Sequence, residues 1–247
     1  MVIGAATALL STGDLTILDV RCGCPAGRVE EEEVPGFEIV LPVSGVFRRR
    51  AANADVVADA GAAYAGVPGS TQRIEHVTAG DRGLVACVSE RLAVELGIES
   101  APALARTRAI DRLIASARRS IDEEDWLVGL ASLSSVTAVV APTADRRRAV
   151  DRVREAIGAA PGERWTLRSL ADVAGYSPHH LSRVFRACTG TTVSEHRDRV
   201  RLARAAELAA DGMALAEVAA ACGFADHGHL TRRARAVLGT VPSRLRA

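Results

Sequence analysis

A pattern of turns and apolar positions occurs twice in the last third of the chain, 49 residues apart. Leu181, Arg183 and Gly190 return as Leu230, Arg232 and Gly239, and Gly175 has a counterpart in Gly223. The copies span 166–190 (TLRSLADVAGYSPHHLSRVFRACTG) and 214–239 (ALAEVAAACGFADHGHLTRRARAVLG). In the first, Thr166 is placed to cap a helix that buries Leu167, Leu170 and Ala171 or Val173 and stops at Gly175. Ser177 then caps a second helix with Pro178 at its first position, where a missing N–H does no harm. Its apolar stripe is Leu181, Val184, Phe185 and Cys188.

The same grammar continues around the repeat. Residues 146–158 read as a helix with Val150, Val153 and Ile157 on one face. Thr192 and Glu195 have capping-box spacing and open a long helix through about Ala210, ended by Gly212. Leu215, Val218, Ala219 and Cys222 line a fifth helix, Asp226 caps a sixth, and Pro242 starts a short seventh. Two short helices joined by a glycine turn are the core of a DNA-reading motif, whose second helix enters the major groove by its N-terminal part. The residues left facing outward are His179, Ser182, Arg183 and Arg186, then His227, Gly228, Thr231 and Arg232, with Arg235 placed for phosphate. Arg183 suits bidentate contact with guanine, and His179 and Ser182 suit neighbouring base edges. The bland alternative for each is a solvated helix face.

Charge agrees with this reading. All 31 basic residues are arginine. Residues 1–145 hold 13 of them against 20 acids, and residues 146–247 hold 18 against 10. A basic C-terminal part is the electrostatic footprint of a nucleic-acid binder.

The first hundred residues have strand character. Residues 37–50 alternate, with Pro42 and Gly45 as turn residues, and 55–77 is cut into short runs by Gly61, Gly66, Pro68 and Gly69. Such runs imply an all-β sandwich or barrel. From Pro102 to about Arg119, Leu104, Ile110, Leu113, Ile114 and Ala117 recur at helical spacing. Another apolar stretch, 126–140, ends where Pro142 and a charge run mark a linker. The expected organisation is two-domain α+β: a β-rich domain over 1–100, a helical linker over 101–141, and an all-α domain over 142–247. No apolar run reaches the roughly 20 residues of a membrane span. The N-terminus lacks the basic start of a signal peptide. Five scattered cysteines argue against a disulfide framework and favour a reducing cytoplasm.

LADVAGYSPHHLSRVFRACTGTTVSEHRDRVRLARAAEL and VAAACGFADHGHLTRRARAVLGTVPSRLR resemble the DNA-binding domain of the AraC/XylS family of bacterial transcription regulators. That resemblance implies two units inserting into successive major-groove segments, with His179, Ser182, Arg183, His227, Gly228, Thr231 and Arg232 facing bases. It also implies double-stranded DNA and RNA polymerase as partners, an effector-responsive activator as the function, and no enzymatic role. Residues 59–77 resemble part of a cupin-like β-barrel, the family's usual sensing domain, which implies a small-molecule effector. By position, 102–140 is the family's dimerisation region, with Ile110, Leu113, Ile114 and Ala117 as a seam; internal packing is the equal alternative. The sequence departs from the family at Ala234, where Phe is usual, and at Leu230, Leu238, His196 and Leu245, where aromatics are common. Gly228 replaces a small polar residue, so the second unit is expected to read bases less than the first.

Two other functions compete. One is a constitutive DNA binder whose N-terminal domain only dimerises. The other is a DNA-repair methyl acceptor, which needs a four-cysteine zinc cluster, whereas only Cys22 and Cys24 are neighbours. No cofactor is implied. Cys22 and Cys24, with Cys87 and His76, have the chemistry of a thiolate metal site or redox switch, but ordinary packing is the favoured reading. The run Glu30–Glu33 reads as a solvated loop, with attraction of a cationic effector as the alternative.

Overall fold

The computed structural model describes residues 4–52, 54–98, 104–105, 108–117, 121–134 and 143–239, and the chain divides into two compact units, 1–136 and 137–247. Pro102, Pro142 and Leu245 lie outside the described residues, as does the short helix expected from Pro242.

The N-terminal unit contains β1 (Gly4–Ser11), β2 (Leu15–Cys22), β3 (Val29–Glu33), β4 (Glu38–Ser44), β5 (Phe47–Ala51), β6 (Ala54–Ala58), β7 (Ala62–Gly66), β8 (Thr71–His76) and β9 (Arg82–Val88). Helix α1 (Glu90–Leu96), the two-residue β10 (Leu104–Ala105), α2 (Arg108–Ser116) and α3 (Glu123–Ser134) follow. The strands pair antiparallel into two sheets, ordered β1-β2-β9-β4-β7-β10 and β3-β8-β5-β6. Among the described residues, no strand pairing closes the two sheets into one barrel.

Alternation along the strands explains the layering. Leu15 and Ile17 of β2, Ile39 and Leu41 of β4, Ala63 and Ala65 of β7, and Leu84 and Ala86 of β9 share one face. That face packs against Leu92 and Leu96 of α1, Ile110 of α2, and Trp126, Leu130 and Leu133 of α3. The alternate residues Val20, Val40, Tyr64 and Val85 meet Phe47 and Ile74 of the smaller sheet. The alternation expected over 37–50 is not kept in β4, which is buried at every position, because a strand covered on both faces takes a near-continuous apolar run.

Several expectations are corrected. The turn after β4 falls at Gly45 (φ 84°), while Pro42 lies inside the strand beside a register shift. Leu104 is in an edge strand paired with β7, not in a helix. Glu30–Glu33 form most of β3, paired with β8, rather than a loop. Of the two alternatives for 102–140, the Ile110 face takes internal packing: Ile110 and Ala117 are buried, and Leu113 and Ile114 pack on the same core. Cys22 and Cys24 are joined by a disulfide across a single intervening residue.

A cavity of about 70 Å³ lies between the sheets, walled by Val20, Val40 and Tyr64 on one side and Phe47, Ile74 and His76 on the other. Glu38 lines it too, and burial pushes its carboxyl above the ordinary value.

The C-terminal unit is helical: α4 (Ala144–Ala159), α5 (Leu167–Ala174), α6 (Pro178–Thr189), α7 (Val193–Ala210), α8 (Leu215–Ala221) and α9 (His227–Leu238). Among the described helices, none is long and apolar enough to cross a membrane.

Candidate nucleic-acid interface

The caps do what their residue types allow. Thr166, Ser177, Thr192 and Asp226 each accept the backbone N–H three residues on, opening α5, α6, α7 and α9. Such bonds satisfy donors that have no partner inside a helix. At Thr192 the box is complete, because the Thr192 N–H donates to Glu195 Oε2 at 2.9 Å. Gly175 (φ 73°) and Gly223 (φ 72°) occupy the matching left-handed turns. The second is also crowded: a Cβ at Gly223 would lie 2.6 Å from the Gly162 carbonyl oxygen. Helix α8 is the exception, for Ala214 at its start offers no side-chain cap.

Leu181, Val184 and Phe185 turn α6 inward, and α6 packs on α4 and α5. Leu167, expected to be buried, is 41% exposed. It borders a groove of about 560 Å³ formed by the starts of α5, α6 and α7. That groove brings together His179, Ser182, Arg183 and Arg186, four residues expected to contact DNA. Arg183 and Arg186 are exposed, and Ser182 donates its hydroxyl to the Pro178 carbonyl at 3.1 Å, leaving its oxygen free to accept. The groove adds Thr192, Ser194 and Arg197 at the start of α7, which the repeat alone does not point to.

In the second copy, His227, Gly228, Arg232 and Arg235 are exposed along α9. Thr231 Oγ1 lies 3.4 Å from His227 Nε2, so these two share a face. Arg232 folds back toward the start of its own helix: its Nη1 lies 3.3 Å from where a Gly228 Cβ would stand, beside the Asp226 carboxylate. The glycine therefore leaves room for the arginine that follows it by one turn.

Both copies share a contact that the apolar periodicity does not reveal. Tyr176 and His180 pack edge-on with centroids 4.5 Å apart, and Phe224 and His229 do the same at 5.5 Å. The signal available in the sequence is an aromatic after each turn glycine. Phe224 also enters the core around Leu230 and the fully buried Ala234, so the second copy keeps an aromatic anchor despite Ala234.

Helix α7 carries both copies. His196 packs against Phe185 of α6 at 5.4 Å, and Asp198 accepts from Arg233 of α9. Arg201 donates to the carbonyls of Pro161 and Glu163 at 2.9 and 2.7 Å. Arg197 donates to the Trp165 carbonyl at 2.5 Å, and Arg152 donates to the Ala174 carbonyl at 2.9 Å, closing the end of α5. Part of the arginine surplus is therefore internal scaffolding, while Arg183, Arg186, Arg232 and Arg235 are among the arginines left exposed.

Residues 170–247 match the model of a helix-turn-helix domain. The HTH-type transcriptional regulator RipA of Corynebacterium glutamicum is 28% identical over 185 residues, 70% of this chain and 56% of that protein. The bifunctional transcriptional activator/DNA repair enzyme AdaA of Bacillus subtilis is 32% identical over 98 residues, 39% of this chain and 46% of that protein. The chain thus spans about half the length of the curated relatives it matches. Among solved structures, ToxT of Vibrio cholerae is 10% identical, covers 93% of this chain and 97% of its own, and gives a TM-score of 0.38. With two capped short-helix pairs braced by one long helix and a matching domain model, residues 170–247 form a helix-turn-helix domain.

Proposed function

We propose that the protein is a sequence-specific transcription regulator of double-stranded DNA, acting in the cytoplasm and effector-responsive through its N-terminal unit. The observation that carries this reading is the pair of recognition helices on α7, each presenting an exposed arginine one turn into the helix, Arg183 and Arg232. Base contacts come from His179, Ser182, Arg183, His227, Thr231 and Arg232, and phosphate contacts from Arg186 and Arg235. Gly228 contributes close approach rather than a side chain. Activation through RNA polymerase is the direction this reading takes. Self-association within 102–140 would use surfaces other than the Ile110 face, such as exposed Val128.

Selection from random DNA followed by footprinting tests the proposal. Protection of about two helical turns per chain at a preferred sequence is the expected outcome. Binding with no preferred sequence would refute it. A repair reading has less support, because only two cysteines share a cluster among the described residues.

A further inference from the structure

The N-terminal unit holds a side-chain cluster that DNA binding does not use. Cys22 ends β2, Cys24 follows after one residue, and His76 ends β8. Ligand atoms of all three lie within 4.8 Å of one another. Cys87 stands apart: it pairs with Thr16, six positions along β2 from Cys22, a separation of about 20 Å at the rise of a strand.

The surroundings fix the imidazole in one orientation. His76 and Asp81 are each 5% exposed, and His76 Nδ1 meets Asp81 Oδ2 at 2.5 Å. With that ring nitrogen donating, the lone pair of Nε2 is directed toward Cys22 Sγ, 4.0 Å away. A carboxylate behind a histidine in this way sets the tautomer and raises the basicity of a ligating ring. Asp81 is itself held by the Thr78 hydroxyl at 3.1 Å. Gly45 makes room for it, since a Cβ there would lie 1.9 Å from Asp81 Oδ1. The Cys24 N–H donates to Cys22 Sγ at 3.2 Å, and Glu30 Oε1 lies 3.8 Å from Cys24 Sγ as a fourth donor.

These spacings suit a tetrahedral ion. With metal–sulfur bonds of about 2.3 Å, neighbouring ligand atoms stand roughly 3.5–3.8 Å apart. The Cys22–His76 and Cys24–Glu30 separations are already near that range; the disulfide must open, and Glu30, whose Oε1 also accepts from Arg28 Nε at 3.3 Å, must swing toward the other three ligands. Cavity size then separates an ion from an organic effector. About 70 Å³ is well below the roughly 300–1,000 Å³ of drug-sized ligand sites. Glu30 and Glu32 line the cavity, while Arg82 at its edge is engaged by Asp19 through two bonds of 2.8 and 2.9 Å.

We propose that the dithiol form of Cys22 and Cys24, together with His76 and Glu30, binds a thiophilic d10 cation of the zinc class. A dithiol or phosphine reductant supplies two electrons to the sulfur–sulfur bond, and two protons complete the thiols. The divalent ion then replaces both thiol protons, which leave to solvent as two metal–sulfur bonds form. The ion ties the end of β2 in the larger sheet to the end of β8 in the smaller one. The regulatory meaning of this clamp rests on the sensor reading above; the binding itself is measured without DNA, so either can fail alone.

The test uses the full chain, reduced with a phosphine under anaerobic conditions, and Co²⁺ as the probe. One ion per chain with thiolate charge-transfer and tetrahedral d–d bands, displaced by Zn²⁺, is the expected result. Cys22→Ser and Cys24→Ser each weaken binding at least about 100-fold, whereas Cys87→Ser and Cys188→Ser leave it intact. Asp81→Asn acts through His76, so it keeps the bands and weakens binding about 10- to 100-fold. Should a cysteine variant fail to fold, alkylation of the wild-type chain followed by peptide mass analysis replaces it, and Zn²⁺ is expected to shield Cys22 and Cys24. Octahedral spectra, bands that survive both cysteine substitutions, or no shielding would overturn the proposal.

Discussion

Arg233 on α9 donates to the Asp198 carboxylate on α7, and this ion pair fastens α9 to the helix that also braces α6. The partners differ in setting: the Asp198 side chain is 10% exposed and that of Arg233 33%. Replacing the carboxylate leaves a half-buried guanidinium without its charge partner. Asp198→Asn is expected to cost ~1–3 kcal/mol, read as a lower urea midpoint at unchanged slope. Footprints of the variant should weaken first over the half-site bound by α9. Equal weakening of both half-sites would mean that the pair acts on the whole unit.

Arg183 and Arg186 sit on one groove, and the proposed function assigns them different tasks. A bidentate base contact carries sequence information, and a phosphate contact does not. Arg183→Ala should cost ~1–3 kcal/mol of affinity and relax preference at one base position. Arg186→Ala should weaken all sequences alike and lower the slope of log affinity against log salt by about one. Titrations of matched and single-mismatch duplexes at several salt concentrations separate the two.

How much of this was legible in the sequence follows from how local each interaction is. Thr166, Ser177, Thr192 and Asp226 bond three residues ahead, so their roles can be read from short strings, and the helices they open fall where the strings place them. The nine expected DNA-facing residues all lie on α6 or α9. The Asp198–Arg233 tie spans 35 residues, and no periodicity points to it. In the N-terminal unit, β1 is rich in alanine and β3 is almost all glutamate, compositions with low strand propensity, and pairing with β2 and β8 decides their state. Cys22 and His76 are 54 residues apart and meet only because their strands belong to facing sheets.

Asp226 links pH to the second copy. Its carboxylate accepts the His229 N–H at 2.6 Å, and this bond, with the attraction of Arg232, holds its pKa below the ordinary 3.8. A carboxyl group depressed by folding stabilises the native state above its unfolded pKa and loses that contribution as pH falls through the folded value. Melting temperature followed down through pH 3.8 should therefore fall more steeply for the wild type than for Asp226→Asn, which keeps a capping oxygen but no titrating charge. Parallel curves would show that the cap bond does not couple to folding.

Ala214 is the N-cap of α8, with the backbone in the extended geometry of that position (φ −63°, ψ 137°) but no side chain to accept a bond. Glu217 stands three residues on, the position from which a glutamate reaches back in a capping box. In the first copy the equivalent helix has such a box between Thr166 and Ser169. Ala214→Ser supplies the missing half, and its hydroxyl would accept the Glu217 N–H. The variant should gain ~0.5–1.5 kcal/mol, read as a higher urea midpoint. Pairing it with Glu217→Ala should remove part of the gain if the reciprocal bond forms. Because α8 packs on both α7 and α9, a stiffer α8 should also tighten binding at the second half-site and leave the first unchanged.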